Sequence, residues 1–239
     1  MPLVRRAAFA VLLSLLAAAP ARARAVDLAL VLAVDVSESI DAEEYQLQHE
    51  GIARAFESPP LIAAISGGAK GAIDVLVLEW SDRDKQVVTV DWTRVSDKAS
   101  AAAFATKVRA SRRSSNGLTA IGDALLAAQA AFRTLPDRAS RRVVDLSGDG
   151  MANIGPPPQQ VRDSLVAAGI TINGLAILKT EPWLDQYYDT YVVGGENAFL
   201  LQVQDFASFA AAMQQKLLAE IAAAPPKLRR AAALTRQMQ

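Results

Sequence analysis

The chain has 239 residues, 25 basic and 25 acidic side chains, one histidine, no cysteine and an apolar fraction of 51%. The missing cysteine excludes a disulfide framework and all thiolate metal or redox chemistry, and a lone histidine excludes metal sites built from two or three imidazoles. Nothing in the balance of charges favours the dense positive patch that nucleic acid needs, so that class of partner is set aside, while the length suits one domain with a sizeable core.

Arg5 and Arg6 precede an apolar run over residues 7–19, closed by Pro20 and the small-residue pattern Ala23-Arg24-Ala25. This reads as a secretory signal peptide over residues 1–25, cleaved after Ala25, with cleavage after Ala23 fitting almost as well. The run is shorter than the roughly 20 residues of a spanning helix, so the mature chain is expected to be secreted or periplasmic and not membrane-spanning. Residues 1–25 carry four arginines and no acid, so their removal leaves 21 basic against 25 acidic residues, a net charge of about −4.

The rest alternates short apolar runs with segments of helical spacing, the rhythm of an α/β domain over residues 26–224 with a mainly parallel sheet. Residues 28–34 are almost wholly apolar, as in a central strand covered on both faces. Asp41 and Glu44 form a capping box that opens a helix to about Phe56. Residues 73–80 read as a second buried strand, and 86–92, which alternate better, as an antiparallel edge strand. Helices are expected over 97–110 and 120–132, with a polar loop at 111–117 between them and Pro136 as a stop. Then come a strand at 142–147, a helix at 159–168 started by prolines 156–158, a strand at 170–178, a short helix at 183–191 and a last strand at 199–203. Asp205 caps a closing helix to about Ala222. Residues 225–239, with Lys227, Arg229, Arg230 and Arg236, read as a loosely attached basic tail.

Just past the first strand stands Asp35-Val36-Ser37-Glu38-Ser39, one carboxylate and two hydroxyls at alternate positions. If the stretch stays extended, the three side chains point the same way, and Glu38 points away. Ligands of open parallel sheets bind outside the carboxyl ends of the strands, where strand order reverses. Oxygen donors of this kind suit hard cations.

The stretch resembles the metal-ion-dependent adhesion site of von Willebrand factor A domains. Gly117-Leu118-Thr119-Ala120-Ile121-Gly122-Asp123 resembles the family's second loop, with a threonine at the head of a helix, and Leu146-Ser147-Gly148-Asp149-Gly150 the third. The resemblance spans essentially the whole mature chain and implies a doubly wound, Rossmann-like sheet of about six strands with helices on both faces. It implies a metal site made by Asp35, Ser37, Ser39, Thr119 and Asp149, in which Ser37 and Ser39 bind directly and Asp35 acts mainly through water and hydroxyls. The implied cation is magnesium, with manganese or calcium as alternatives, and the implied partner is a protein presenting an Asp or Glu carboxylate to an open position. In the family, changes of coordination at such threonine and aspartate positions accompany movement of the closing helix.

Each residue also has a plainer reading. Thr119 alone is more often a helix cap, and Gly148-Asp149-Gly150 a turn. Asp145 competes with Asp149 but lies inside its strand, and Asp123 lies a full turn into its helix, so neither is included. Arg109, Arg112 and Arg113 read as a solvated polar loop ahead of an attractor for acidic partners, and His49 as a surface or satisfied histidine. Trp183, Tyr187, Tyr188 and Tyr191 read as packing ahead of a binding rim. Two other functions compete with a binding module: a metal-dependent phosphoester hydrolase, and a structural subunit whose pocket holds no metal. Against the hydrolase, the position two residues after Asp35 is Ser37 where such enzymes typically place a second acid.

Overall fold

The computed structural model describes residues 24–222. The expected leader and basic tail lie outside the described residues, apart from the leader's last two positions, Arg24 and Ala25. Six strands form one sheet in the order β3-β2-β1-β4-β5-β6. β1 (Ala25–Asp35) lies between β2 (Ile73–Trp80) and β4 (Arg138–Gly148), parallel to both. β5 (Thr171–Ile177) and β6 (Leu200–Val203) continue the parallel run, and β3 (Gln86–Val95) closes the other edge antiparallel, as its alternating pattern predicts.

The pleat of β1 divides the core. Leu28, Leu30, Leu32 and Val34 face one layer, built with α1 (Ala42–Glu57), α2 (Pro59–Ser66), α3 (Lys98–Ala110) and α7 (Phe209–Ile221). Val31 and Ala33 face the other, built with α4 (Ile121–Ala131), α5 (Pro158–Ala167) and α6 (Leu184–Tyr191). Every residue of β1 from Leu28 to its end is buried, which is why its sequence shows no alternation. Among the described residues, no helix is long and apolar enough to cross a membrane.

Local signals were accurate where capping chemistry is explicit. The Asp41 carboxylate accepts from Glu44 N–H (2.8 Å) and Asp41 N–H donates to Glu44 Oε2 (3.0 Å), the reciprocal pair the sequence predicts. Three differences have physical reasons. α2 is absent from the sequence reading because it is a short helix opened by two prolines, which its first turn tolerates because N–H groups there have no intrahelical acceptor. β4 starts at Arg138, four residues early, because its polar beginning pairs with the first residues of β1 (Ala25 opposite Arg138). Asp205 caps a single 3-10 turn over Phe206–Ser208, and α7 begins only at Phe209.

A buried ionic triad fixes α7. Lys216 is fully buried and its Nζ lies 2.7 Å from Asp145 of β4 and 2.7 Å from Glu220 one turn on. Asn173 of β5 donates to the same Glu220 oxygen (3.0 Å). Burial, reinforced by the Glu220 charge, raises the Asp145 carboxyl above its ordinary range, and Lys216 opposes the shift. Removing the one cation strands two buried acids, so Lys216→Met is expected to lower folding stability by about 3–5 kcal/mol in urea unfolding. An unchanged midpoint would show that the triad contributes nothing to stability.

Candidate metal site

Strand order reverses at β1 and β4, and their carboxyl ends, paired through Val34 and Ser147, open the crevice in which the candidate residues meet. Asp35 ends β1, and Asp149 follows the last residue of β4. The segment after Asp35 is not extended as the alternation predicts. It is a turn over residues 37–39, closed by Ile40 N–H donating to the Ser37 carbonyl (3.0 Å). The turn still brings the hydroxyls together: Ser37 Oγ and Ser39 Oγ are 3.2 Å apart, and Ser39 Oγ donates to Asp149 Oδ1 at 2.6 Å. Asp35 Oδ1 accepts from Ser37 N–H (2.8 Å), and Glu38 is exposed.

Thr119 comes from the second loop, ahead of α4. The N-cap of α4 is Ala120, and it receives no side-chain cap, so the threonine is not the capping residue that its position predicts. Asn153 holds the Thr119 backbone at both ends, its side-chain oxygen accepting from Thr119 N–H (2.8 Å) and its own N–H donating to Thr119 O (3.1 Å). Thr119 Oγ1 faces Gly150, 3.6 Å from where a Cβ on that glycine would stand. Gly148 must lack a side chain, since a Cβ there would meet Tyr188 Oη at 2.7 Å and Asp35 Oδ2 at 2.8 Å.

The electrostatics are unbalanced. Asp35 and Asp149 are both almost fully buried, and Asp35 Oδ2 and Asp149 Oδ2 have no hydrogen-bond partner. Burial pushes the Asp35 carboxyl up to about 7, Ser37 opposing through hydrogen bonding and the Asp149 charge adding to the rise. Burial also raises Asp149, opposed by the Ser39 hydrogen bond and assisted by Glu44. The nearby Lys179 ammonium is engaged by Glu44. Two carboxylates with two orphaned oxygens beside the Ser37 and Ser39 hydroxyls fit a hard divalent cation in donor type and charge. Among the described residues no group of three or more His, Cys, Asp or Glu side chains could hold a metal, so any site here depends on hydroxyl donors.

The competing residues settle elsewhere. Asp145 belongs to the α7 triad on the far side of β4. Asp123 lies on α4 against Gly155 and is not part of the candidate site. His49 is buried, with Nδ1 3.0 Å from the Tyr45 carbonyl and Nε2 3.0 Å from Glu79 Oε1. The same Glu79 carboxylate accepts from Tyr45 Oη (2.9 Å) and Ser114 N–H (2.7 Å). Burial works to raise Glu79, but these bonds, from His49 first, hold it below its ordinary range. Of the aromatic set, Tyr188 is core, whereas Trp183 is 62% exposed.

Sequence reasoning missed Arg113. It is half-buried, and its Nη2 donates to the carbonyls of Val36 and Ser37, 2.8 Å each, clamping the turn that presents the two serines. Its neighbour Arg109 instead binds Glu50 and Glu57 of α1, and only Arg112 is the solvated residue expected of the whole cluster. Charge spacing holds no signal for a contact made 77 residues away in sequence.

A family model described as "Protein of unknown function (DUF1194)" matches residues 25–225. The chain belongs to that family. No curated protein matches it in sequence. Solved structures similar to it include proximal thread matrix protein 1 of the mussel byssus (TM-score 0.60, 20% identity), which covers 82% of this chain and 49% of its own. Another structure of that protein has a zinc-occupied MIDAS motif. A von Willebrand factor type A protein from Catenulispora acidiphila gives a TM-score of 0.58 at 19% identity, over 82% of this chain and 43% of that one. The vWF domain of the type V pili tip protein Mfa5 from Porphyromonas gingivalis gives 0.53 at 12%, over 80% and 94%. The chain thus spans about half the length of the first of these, and the fold is that of a von Willebrand factor A domain.

The raised Asp35 carboxyl has a measurable consequence in protein freed of divalent ions. Its folded pKa, about 7, exceeds the unfolded value near 4, so the folded state binds the proton more tightly. The stabilisation is full below about pH 4 and is lost as pH rises to about 7. Asp35→Asn removes this share and is expected to make metal-free protein more stable by about 4 kcal/mol at pH 8, read from urea unfolding across pH. Parallel curves for the two proteins would refute the assignment.

Proposed function

We propose that the chain is an extracytoplasmic, divalent-cation-dependent protein-binding module, with Asp35, Ser37, Ser39, Thr119 and Asp149 as the residues that hold the cation. The observation that carries this reading is the pair of buried, unpartnered oxygens, Asp35 Oδ2 and Asp149 Oδ2, beside the Ser37–Ser39 hydroxyl pair. Magnesium is the first choice, with manganese or calcium as alternatives, and when bound it supplies a positive centre to an Asp or Glu side chain of the partner. The zinc-occupied motif of the byssus protein supports a cation at this end of the fold. Leu118 and Met151, next to Thr119 and Gly150, are exposed apolar side chains that suit a protein partner around the charged centre.

Binding is favoured over hydrolysis by what stands at two positions. The one histidine is buried and engaged with Glu79, and the position two after Asp35 offers a hydroxyl. Ser37 and Ser39 orient oxygen donors, Asn153 and Arg113 hold the loops that carry them, and the two aspartates supply charge.

Adding magnesium, manganese or calcium to chelator-treated protein is expected to raise its stability, by about 2.7 kcal/mol at a hundred times the dissociation constant. Asp35→Ala and Asp149→Ala should abolish that rise. No stabilisation by any of the three ions would sink the proposal. Arg113→Gln, which removes the clamp on the Val36 and Ser37 carbonyls, is expected to weaken cation affinity about tenfold in calorimetry while the protein stays folded. Affinity equal to that of the native protein would show the clamp to be dispensable.

A further inference from the structure

The sequence offers two overlapping cleavage patterns, Ala21-Arg22-Ala23 and Ala23-Arg24-Ala25, and small residues alone do not choose between them. The fold does. Arg24 and Ala25 are built into the sheet: Arg138 N–H donates to the Arg24 carbonyl (2.9 Å), and Ala25 opens β1 opposite Arg138. Arg24 N–H donates to Asp137 Oδ1 at 2.9 Å. The other oxygen of Asp137 accepts from Arg94 Nη1 of β3 (2.8 Å), so this one carboxylate ties together the beginnings of β1 and β4 and the end of β3.

Cutting after Ala25 would strip away both Arg24 contacts and leave Arg138 N–H without its acceptor. It would also place a new α-ammonium on Val26, which is fully buried, where a charge taken from water finds no compensation. Cutting after Ala23 keeps both Arg24 contacts. It also adds a positive charge where Asp137 and the buried Asp74, whose Oδ2 has no partner, both draw on Arg94.

We propose that the leader is removed by hydrolysis of the Ala23–Arg24 bond and that the α-ammonium so created on Arg24 forms an ion pair with Asp137. In that step a water molecule cleaves the amide, its oxygen ending in the Ala23 carboxylate and its two protons on the Arg24 nitrogen, with an export-linked leader peptidase as catalyst. The inference rests on the leader reading and is independent of the metal site.

The test is to express the full chain in a bacterial host, recover the exported protein, and read its intact mass and N-terminal sequence. A start at Arg24 is expected. A start at Val26 would overturn the choice of bond, whereas an uncleaved chain would overturn the leader reading with it. The ion pair has its own measurement. An ammonium held by Asp137 has a pKa above its ordinary value near 8, so stability is full below that value and is lost as pH rises through the higher one. Asp137 accepts from this nitrogen, Arg94 of β3 pairs with the same carboxylate, Asp74 of β2 acts on it through its charge, and Arg138 of β4 follows it in the chain and bonds the Arg24 carbonyl. The urea midpoint of the exported protein is expected to fall between about pH 8 and pH 10 more steeply than that of exported Asp137→Asn. Equal slopes would refute the ion pair even if the cleavage site were right.

Discussion

Two carboxylates removed from water at the end of a parallel sheet are the constraint around which this fold is arranged. Asp35 ends one central strand and Asp149 follows the other, and each is left with one buried oxygen that no donor reaches. A chain selected for stability alone would place an apolar or amide side chain at such positions. Retaining both acids beside Ser37 and Ser39 is what the proposed cation site would require, its charge completed from outside. The glycines follow from the same crowding, since Gly148 lets the Asp35 carboxylate and the Tyr188 phenol approach the backbone of β4.

The loops that carry these oxygens are held from behind by polar groups that do not face the site. Arg113 binds the carbonyls of Val36 and Ser37, Gln48 of α1 donates to the Asp35 carbonyl (3.1 Å), and Glu38 N–H donates to the Gly117 carbonyl (2.8 Å). Arg113 is in turn positioned by its own segment, through the Ser115 carbonyl (3.0 Å), and Ser114 beside it is fixed by Glu79. Glu79 also receives Tyr45 and faces His49, so α1, β2 and the loop before α4 share one buried carboxylate. The first and second candidate loops are therefore mechanically one unit, joined through backbone acceptors that leave the side-chain oxygens free.

Much of this was legible in the sequence, for reasons that differ by element. The buried strands announced themselves because a strand covered on both faces has no room for polar residues, and α1 and α3 because Asp41 and Asp97 cap them through bonds local in sequence. The candidate residues were legible from a motif resemblance, but their local geometry was not: an extended stretch and a turn both bring Ser37 and Ser39 near Asp35, and only the turn bond from Ile40 distinguishes them. Thr119 looked like a cap because position at a helix head is the usual signal, whereas here the orphan donors are left to Ala120 and the hydroxyl is free for another use. Arg113 and the early start of β4 were invisible because each depends on a partner far away in sequence, Val36 for one and Ala25 for the other.

The triad on α7 bears on how this crevice behaves. Asp145 lies in β4, four residues before Asp149, which follows that strand, and Lys216 neutralises Asp145 from the closing helix. Sliding α7 by one turn, about 5.4 Å, would bring Ala212 or Glu220 to the place of Lys216. Either residue would leave Asp145 buried without its cation, and Glu220 would add a second negative charge. The position of α7 is thus tied to the charge state of a carboxylate inside β4, and that carboxylate is the one burial has already raised toward neutrality. After such a slide Asp145 would have to take up a proton or find another cation, so the intact triad ties α7 to the strand that ends just before Asp149.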